Sequence, residues 1–149
     1  MVVDLQSATK MSHPAGAEFQ QWVACALEAW DAVEVTVRLV DHDESAELNQ
    51  VYRGKSGPTN VLAFAFESPV DLDIPILGDI VICAPVVADE ASQQGKPIAH
   101  HWAHLTIHAT LHLIGYDHEV PADAERMENK ERELLEMLSI PDPYRYDHV

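Results

Sequence analysis

The chain has 149 residues, 47% of them hydrophobic, and carries 25 acidic against nine basic side chains, for a net charge of -16. That length builds one ordinary core and is too short for two, and no stretch approaches the roughly 18 consecutive apolar residues of a membrane span. Broad electrostatic adhesion to nucleic acid is excluded as well, because it draws on clustered Lys and Arg.

Met1 to Gln6 lack the basic segment and long apolar stretch of a secretory signal, and Cys25 and Cys83 are isolated thiols without CxxC spacing. A cytoplasmic, reducing setting is therefore expected, with both thiols as small buried side chains. Val2 to Leu5 reads as a short edge strand, followed by a loop through Ser7, Ser12, Pro14 and Gly16. From Ala17 to Trp30, Phe19, Trp22, Val23, Ala26, Leu27 and Trp30 recur at the three-and-four spacing of an amphipathic helix. Val33, Val35, Val37 and Leu39 then alternate with Glu34, Thr36 and Arg38, the pattern of a half-buried strand. Asp43 is the expected N-cap of a second helix over Glu44 to Tyr52, with Leu48, Val51 and Tyr52 inward.

Beyond the turn-rich loop Gly54 to Pro58, Val61 to Phe66 is a continuous apolar run, expected at the centre of the sheet. Ile74 to Leu77 and Ile80 to Cys83 predict further strand, with Gly78-Asp79 between them. Pro85 opens a helix to about Gln94, where Gly95 and Pro97 punctuate the chain. Pro97 to Ile114 is apolar nearly all round apart from its histidines, which predicts a helix buried at the centre. A last helix runs from Ala122 to Leu138, with Met127, Leu134, Leu135 and Leu138 inward. The acid-rich runs Asp41 to Glu47 and Glu119 to Glu136 read as solvated helix faces. The order β-α-β-α-β-β-α-α-α implies an α+β fold: a single domain over 1–149, a mixed sheet of about four strands packed with about five helices, its buried central helix carrying metal ligands.

The chemistry concentrates where that helix ends. His108 and His112 lie one turn apart on one helix face, Gly115 permits the chain to turn back, and His118 follows as a third imidazole. Three neutral imidazoles suit one zinc ion per chain and leave a coordination position open for water, the arrangement of a catalytic rather than a structural site. The spacing matches the metzincin protease pattern H-E-x-x-H-x-x-G-x-x-H at its metal positions, but Ala109 stands where that pattern has its Glu base. His101 and His104 extend the stripe along the helix and are expected to line a cleft leading to the metal. Arg53 ends the second helix and enters the loop Arg53 to Asn60, where a guanidinium can clamp a phosphate and stabilise charge developing on it.

Taken together, His101-Trp102-Ala103-His104 leading into His108 to His118, the loop Arg53 to Phe64, Gly78-Asp79-Ile80, Met127-Glu128 and the tail Ile140 to Tyr144 resemble the YbeY family, bacterial zinc-dependent endoribonucleases of ribosomal RNA maturation. The resemblance covers nearly the whole chain. Lys55, His101 and His104 are expected to meet a single-stranded RNA substrate, and the resemblance implies metal on His108, His112 and His118 and activity tied to Arg53. It also implies a ribosomal subunit or its proteins as partners, and no membrane. The chain departs from the family pattern at Ala109, Asn60, Ala63 and Ala65, where the family usually has Gly, Asp, Ser and Pro. His104 and Asp117 are both candidate general bases. The competing readings are a zinc-containing ribosome assembly factor with little catalysis and a metalloprotease-like amide hydrolase.

Overall fold

The computed structural model describes residues 1–28, 33–66 and 76–148, with side chains to 145. It is a single α+β domain in the expected element order. The elements are β1 (Val2–Ser7), α1 (Gly16–Ala26), β2 (Glu34–Val40), α2 (His42–Arg53), β3 (Val61–Ala65), β4 (Ile76–Cys83), α3 (Ala84–Gln94), α4 (Ile98–Leu113) and α5 (Pro121–Met137), closed by a 3-10 turn over Pro143–His148. Trp30 and Ile74, expected to end a helix and to begin a strand, lie outside the described residues.

The four strands run in the order β1-β2-β4-β3, the first three parallel and β3 antiparallel to β4. The expectation for Val61 to Phe66 is thus corrected: β3 is an edge strand, and the interior places belong to β2 and β4. Its apolarity comes from cover on both faces instead. Val61 and Ala63 pack toward the main core. Leu62 and Phe64 join a smaller one with Val40, Val81 and Cys83. A continuous apolar run reports two covered faces and says nothing about strand neighbours.

The main core gathers the inward alternation of β2 (Val33, Val35, Val37, Leu39) against Phe19 and Trp22 of α1, Trp102, Ile107 and Leu111 of α4, and Met127, Leu134 and Leu135 of α5. Phe19 meets both Trp22 and Trp102 edge-on, at centroid distances of 5.4 and 5.7 Å. Truncating so enclosed a ring to alanine costs about 3–5 kcal/mol. The hydroxyls of buried Thr106 and Thr110 donate to the carbonyls of Trp102 and Thr106, so α4 crosses the core without stranding them.

Three further expectations are corrected. Asp41, not Asp43, precedes the first turn of α2. Its carboxylate is taken by the Thr9 hydroxyl and the Lys10 amide. The fully buried residues of α2 are the polar Ser45 and Asn49; of the expected apolar ones Leu48 packs against the smaller core, while Val51 and Tyr52 are exposed. The reason is the loop that α2 must hold: Ser45 bonds the backbone of Thr59 at 3.0 Å and Asn49 donates to the Gly57 carbonyl at 2.9 Å. Glu131, within a run read as a solvated face, is wholly buried. Cys83 is buried and Cys25 half-buried, both as free thiols. Among the described residues, no helix is long and apolar enough to cross a membrane.

Candidate active site

The C-terminus of α4 sets the site. Gly115 adopts φ 106°, and the Tyr116 amide donates back to the Leu111 carbonyl at 3.0 Å, so the chain reverses beside the helix it has just left. That reversal brings His118 against the helix: its Nδ1 lies 3.0 Å from His112 Nε2. One nitrogen from each of His108, His112 and His118 falls within a 4.8 Å cluster. Two imidazole nitrogens at 3.0 Å gain little from each other unless one carries a proton or both face a cation, and three such nitrogens form the donor set of a tridentate metal site. Burial and the neighbouring His108 and His118 push the His112 imidazole below its ordinary pKa, which favours the neutral, ligating form.

Behind the triad sits Glu131 of α5. One carboxylate oxygen is 2.8 Å from His104 Nε2 and 3.1 Å from His108 Nδ1, and the other accepts the Tyr144 hydroxyl at 2.8 Å. Burial alone would raise this carboxyl, but the bonds from His104 and His108 outweigh burial and hold it at about 2. An ionised carboxylate only accepts, so His108 must carry its proton on Nδ1 and present Nε2 as a lone pair. A carboxylate that fixes the tautomer of a ligating histidine in this way is a regular companion of metal sites. The same arrangement makes His104 a donor through Nε2 and leaves its buried Nδ1 without a partner. Burial depresses the His104 pKa and keeps the ring neutral, so that Nδ1 is a bare lone pair rather than a stranded N–H.

The three clustered imidazoles open onto a cleft of about 640 Å³ lined by Tyr52, Arg53, Lys55, Asn60, residues 61–64 of β3, His108, His112, Asp117, His118 and Glu119. Arg53 reaches it from the last turn of α2, where Gly54 at φ 66° ends the helix. Cys83 pairs with Asn60 and Phe66 with Leu77 through backbone bonds of 2.9 Å. Antiparallel alternation therefore turns the backbone groups of Val61, Ala63 and Ala65 to the open edge. The Val61 amide is met by Asn60 Oδ1 at 2.6 Å.

The structure divides the residues expected to contact substrate. Arg53 and Lys55 line the cleft, as expected of them. His101 and His104 do not: both are turned into the protein, His104 onto Glu131 and His101 onto Glu90 of α3 at 2.8 Å. The stripe of four histidines is continuous on the helix surface, but α3 and α5 cover its first half. Of the two candidate bases, Asp117 faces the cleft and His104 does not. Glu131, Tyr144 and Glu90 were not singled out from the sequence. The signal available for Glu131 was its place four residues after Met127 and three before Leu134, on the buried stripe of α5.

Residues 3–139 match the family model described as Endoribonuclease YbeY. A protein of that name from Halorhodospira halophila is 53% identical over 94% of this chain and 94% of its own length. One from Methylococcus capsulatus is 52% identical over 95% and 93%. A Thermotoga maritima protein solved in solution superposes with a TM-score of 0.58 at 26% identity, covering 93% of this chain and 92% of its own. With the family model spanning nearly the whole length and two relatives above half identity, the chain belongs to the YbeY family of endoribonucleases.

Proposed function

We propose that residues 1–149 form one metal-dependent hydrolase domain that cuts single-stranded RNA internally. We further propose that it works in the cytoplasm on ribosomal RNA maturation, with one zinc ion per chain and with a ribosomal subunit or its proteins as partners. The observation that carries this reading is the shared cleft: the three clustered imidazoles line it together with Arg53 and Lys55. Relatives named endoribonuclease support the reaction class.

Zinc held by His108, His112 and His118 would supply Lewis acidity toward a phosphoryl oxygen and make a water acidic enough to react near neutral pH. The remaining work falls to the chain. Arg53 offers a planar, permanently charged fork to the scissile phosphate, strongest where negative charge builds up. Lys55 meets a flanking phosphate as a point charge. Asp117 Oδ1 accepts the His118 amide at 2.7 Å, which holds the ligand loop closed and leaves the carboxylate at the cleft as the candidate acceptor of a proton. Glu131 acts from the far side of His108 and fixes its tautomer. The cleft passes a flexible strand and rejects a rigid duplex, whose bases are already stacked.

An amide hydrolase on the same metal would need a base next to His108. Ala109 is fully buried, so that position offers no proton acceptor to the cleft. The net charge of -16 favours basic protein partners and keeps an assembly factor with weak cleavage as the second reading. The deciding experiment is cleavage of a single-stranded RNA by the metal-replete protein, with and without chelator, beside Arg53→Ala. Cleavage lost to chelator and to Arg53→Ala supports the nuclease; an intact metal complement with no cleavage turns the assignment to the assembly factor.

A further inference from the structure

Two aromatic rings stand on the wall of the cleft and belong to neither the metal site nor the main core. Tyr52, in the last turn of α2, is 65% exposed. Its one ring contact among the described residues is with Phe64 of β3, at a centroid distance of 5.1 Å and an interplanar angle of 62°. Phe64 is anchored from beneath by the small core of Val40, Leu62, Val81 and Cys83. It therefore buttresses the edge of Tyr52 while the phenol stays open to the cleft. Both rings line the same cleft as Arg53 and the metal-ligating histidines.

Beyond its contact with Phe64, a phenol 65% exposed at a helix end gains little for folding, because most of the ring stays in contact with water. Placed beside Arg53 it has an obvious complement in a nucleotide, with a flat base for the ring and a phosphate for the neighbouring guanidinium. The net charge strengthens the argument. At a net charge of -16, Arg53, Lys55 and a bound cation are few counter-charges for an RNA backbone, so contacts that do not depend on charge gain weight in holding the strand. Stacking on an aromatic ring is one such contact, open to all four bases. A base within a duplex has no free face to offer it.

We propose that Tyr52, backed by Phe64, is the stacking platform for one unpaired nucleobase of the strand lying in the metal cleft. Tyr52 thereby supplies both affinity and selection for single strands. The inference rests on the nuclease reading above and deepens it.

Binding is measured by fluorescence anisotropy with a labelled 2′-O-methyl single-stranded oligonucleotide, and cleavage of the unmodified RNA is followed in parallel, for wild type, Tyr52→Ala and Tyr52→Trp. Loss of one stacked base should weaken binding of Tyr52→Ala roughly 5- to 150-fold, corresponding to about 1–3 kcal/mol. Tyr52→Trp should bind at least as tightly as wild type, and zinc content and melting temperature should be unchanged in both. In a series of oligonucleotides each bearing one abasic position, one member should bind wild type as weakly as Tyr52→Ala and show no further loss with the variant. If wild type cleaves RNA while Tyr52→Ala binds every member as wild type does, the subsite is overturned and the nuclease stands. Binding without cleavage removes the nuclease reading, and the same variants still decide the platform. Absence of both binding and cleavage by wild type overturns the two together.

Discussion

The carboxylate of Glu131 lies 3.1 Å from His108 Nδ1, which leaves Nε2 as the free lone pair of that ring. Because the same oxygen also accepts from His104 and its partner oxygen from Tyr144, the orientation of the His108 ring is tied to α4, α5 and the C-terminal turn together. Replacing the carboxylate by an amide keeps the volume but removes the charge, so Glu131→Gln should weaken metal affinity 10- to 100-fold. Glu131→Ala leaves His104 and His108 facing an empty buried space and should cost about 3–5 kcal/mol as well. Metal titration and chemical denaturation separate the two effects; a Glu131→Gln protein with wild-type metal affinity would show that the carboxylate is only structural.

The metal itself gives the next expectation. Purified protein should hold about one zinc per chain, and His112→Ala should lose most of it, because two imidazoles bind far more weakly than three. An ion on these three rings would join α4 to the loop after Gly115, so chelation should also lower the melting temperature. Full zinc retention by His112→Ala would exclude the three-histidine site.

Gly78 carries the pairing of β3 with β4 that shapes the cleft floor. It adopts φ 154°, and a Cβ built there would stand 2.1 Å from the Phe64 carbonyl oxygen and 2.9 Å from Leu113 Cδ2. Backbone cannot yield as a flexible side chain can, so Gly78→Ala should destabilise by about 1–3 kcal/mol or more and loosen β3. The thermal shift relative to Gly54→Ala, where a Cβ meets nothing within 4 Å, separates steric conflict from the cost of positive φ alone.

Glu90 bonds His101 and Asn60 at once. Burial alone would raise its carboxyl, but the bonds from His101 and Asn60 prevail and hold it below the ordinary value of 4.5. A depressed carboxyl contributes stability that is complete above the unfolded value and lost as pH falls through the folded one. The stability difference between wild type and Glu90→Gln should therefore be present at neutral pH and shrink in acid. A difference constant from neutral to acid pH would contradict the assignment. Asn60 belongs to the same contact: its amide nitrogen lies 3.1 Å from the Glu90 carboxylate, so Asn60→Asp would set a second carboxylate against it.

The residues legible in the sequence were those whose signal is local. Helical spacing placed Phe19, Trp22 and Val23 in the core, period-two alternation placed Val33 to Leu39, and the spacing of His108, His112, Gly115 and His118 led to the triad. What the sequence concealed depends on partners far along the chain. Val61 to Phe66 is as apolar at the edge as it would be at the centre, because helices cover both its faces. Ser45 and Asn49 are inward because the loop over 57–59 needs their hydrogen bonds, a demand that hydropathy does not register. Glu131 looked like one acid among many, since its partners His104, His108 and Tyr144 lie 13 to 27 positions away.

Arg53 separates an enzyme from a binding factor. It is exposed at the end of α2, lines the metal cleft and has no hydrogen bond to the core among the described residues, so its removal should cost the fold almost nothing. An arginine acting on the transition-state phosphate should, as Arg53→Ala, leave zinc content and melting temperature nearly unchanged while lowering turnover by about 10²-fold or more. Arg53→Lys should rescue poorly, since it keeps the charge but not the planar fork that pairs with two phosphate oxygens. Rates of single-stranded RNA cleavage, zinc content and melting temperature measured on all three proteins decide the matter. Equal cleavage by wild type and both variants would reduce Arg53 to a charge complementing the helix dipole. A parallel fall in cleavage, zinc and melting temperature would instead make it a structural residue and leave the phosphate to Lys55 and the metal.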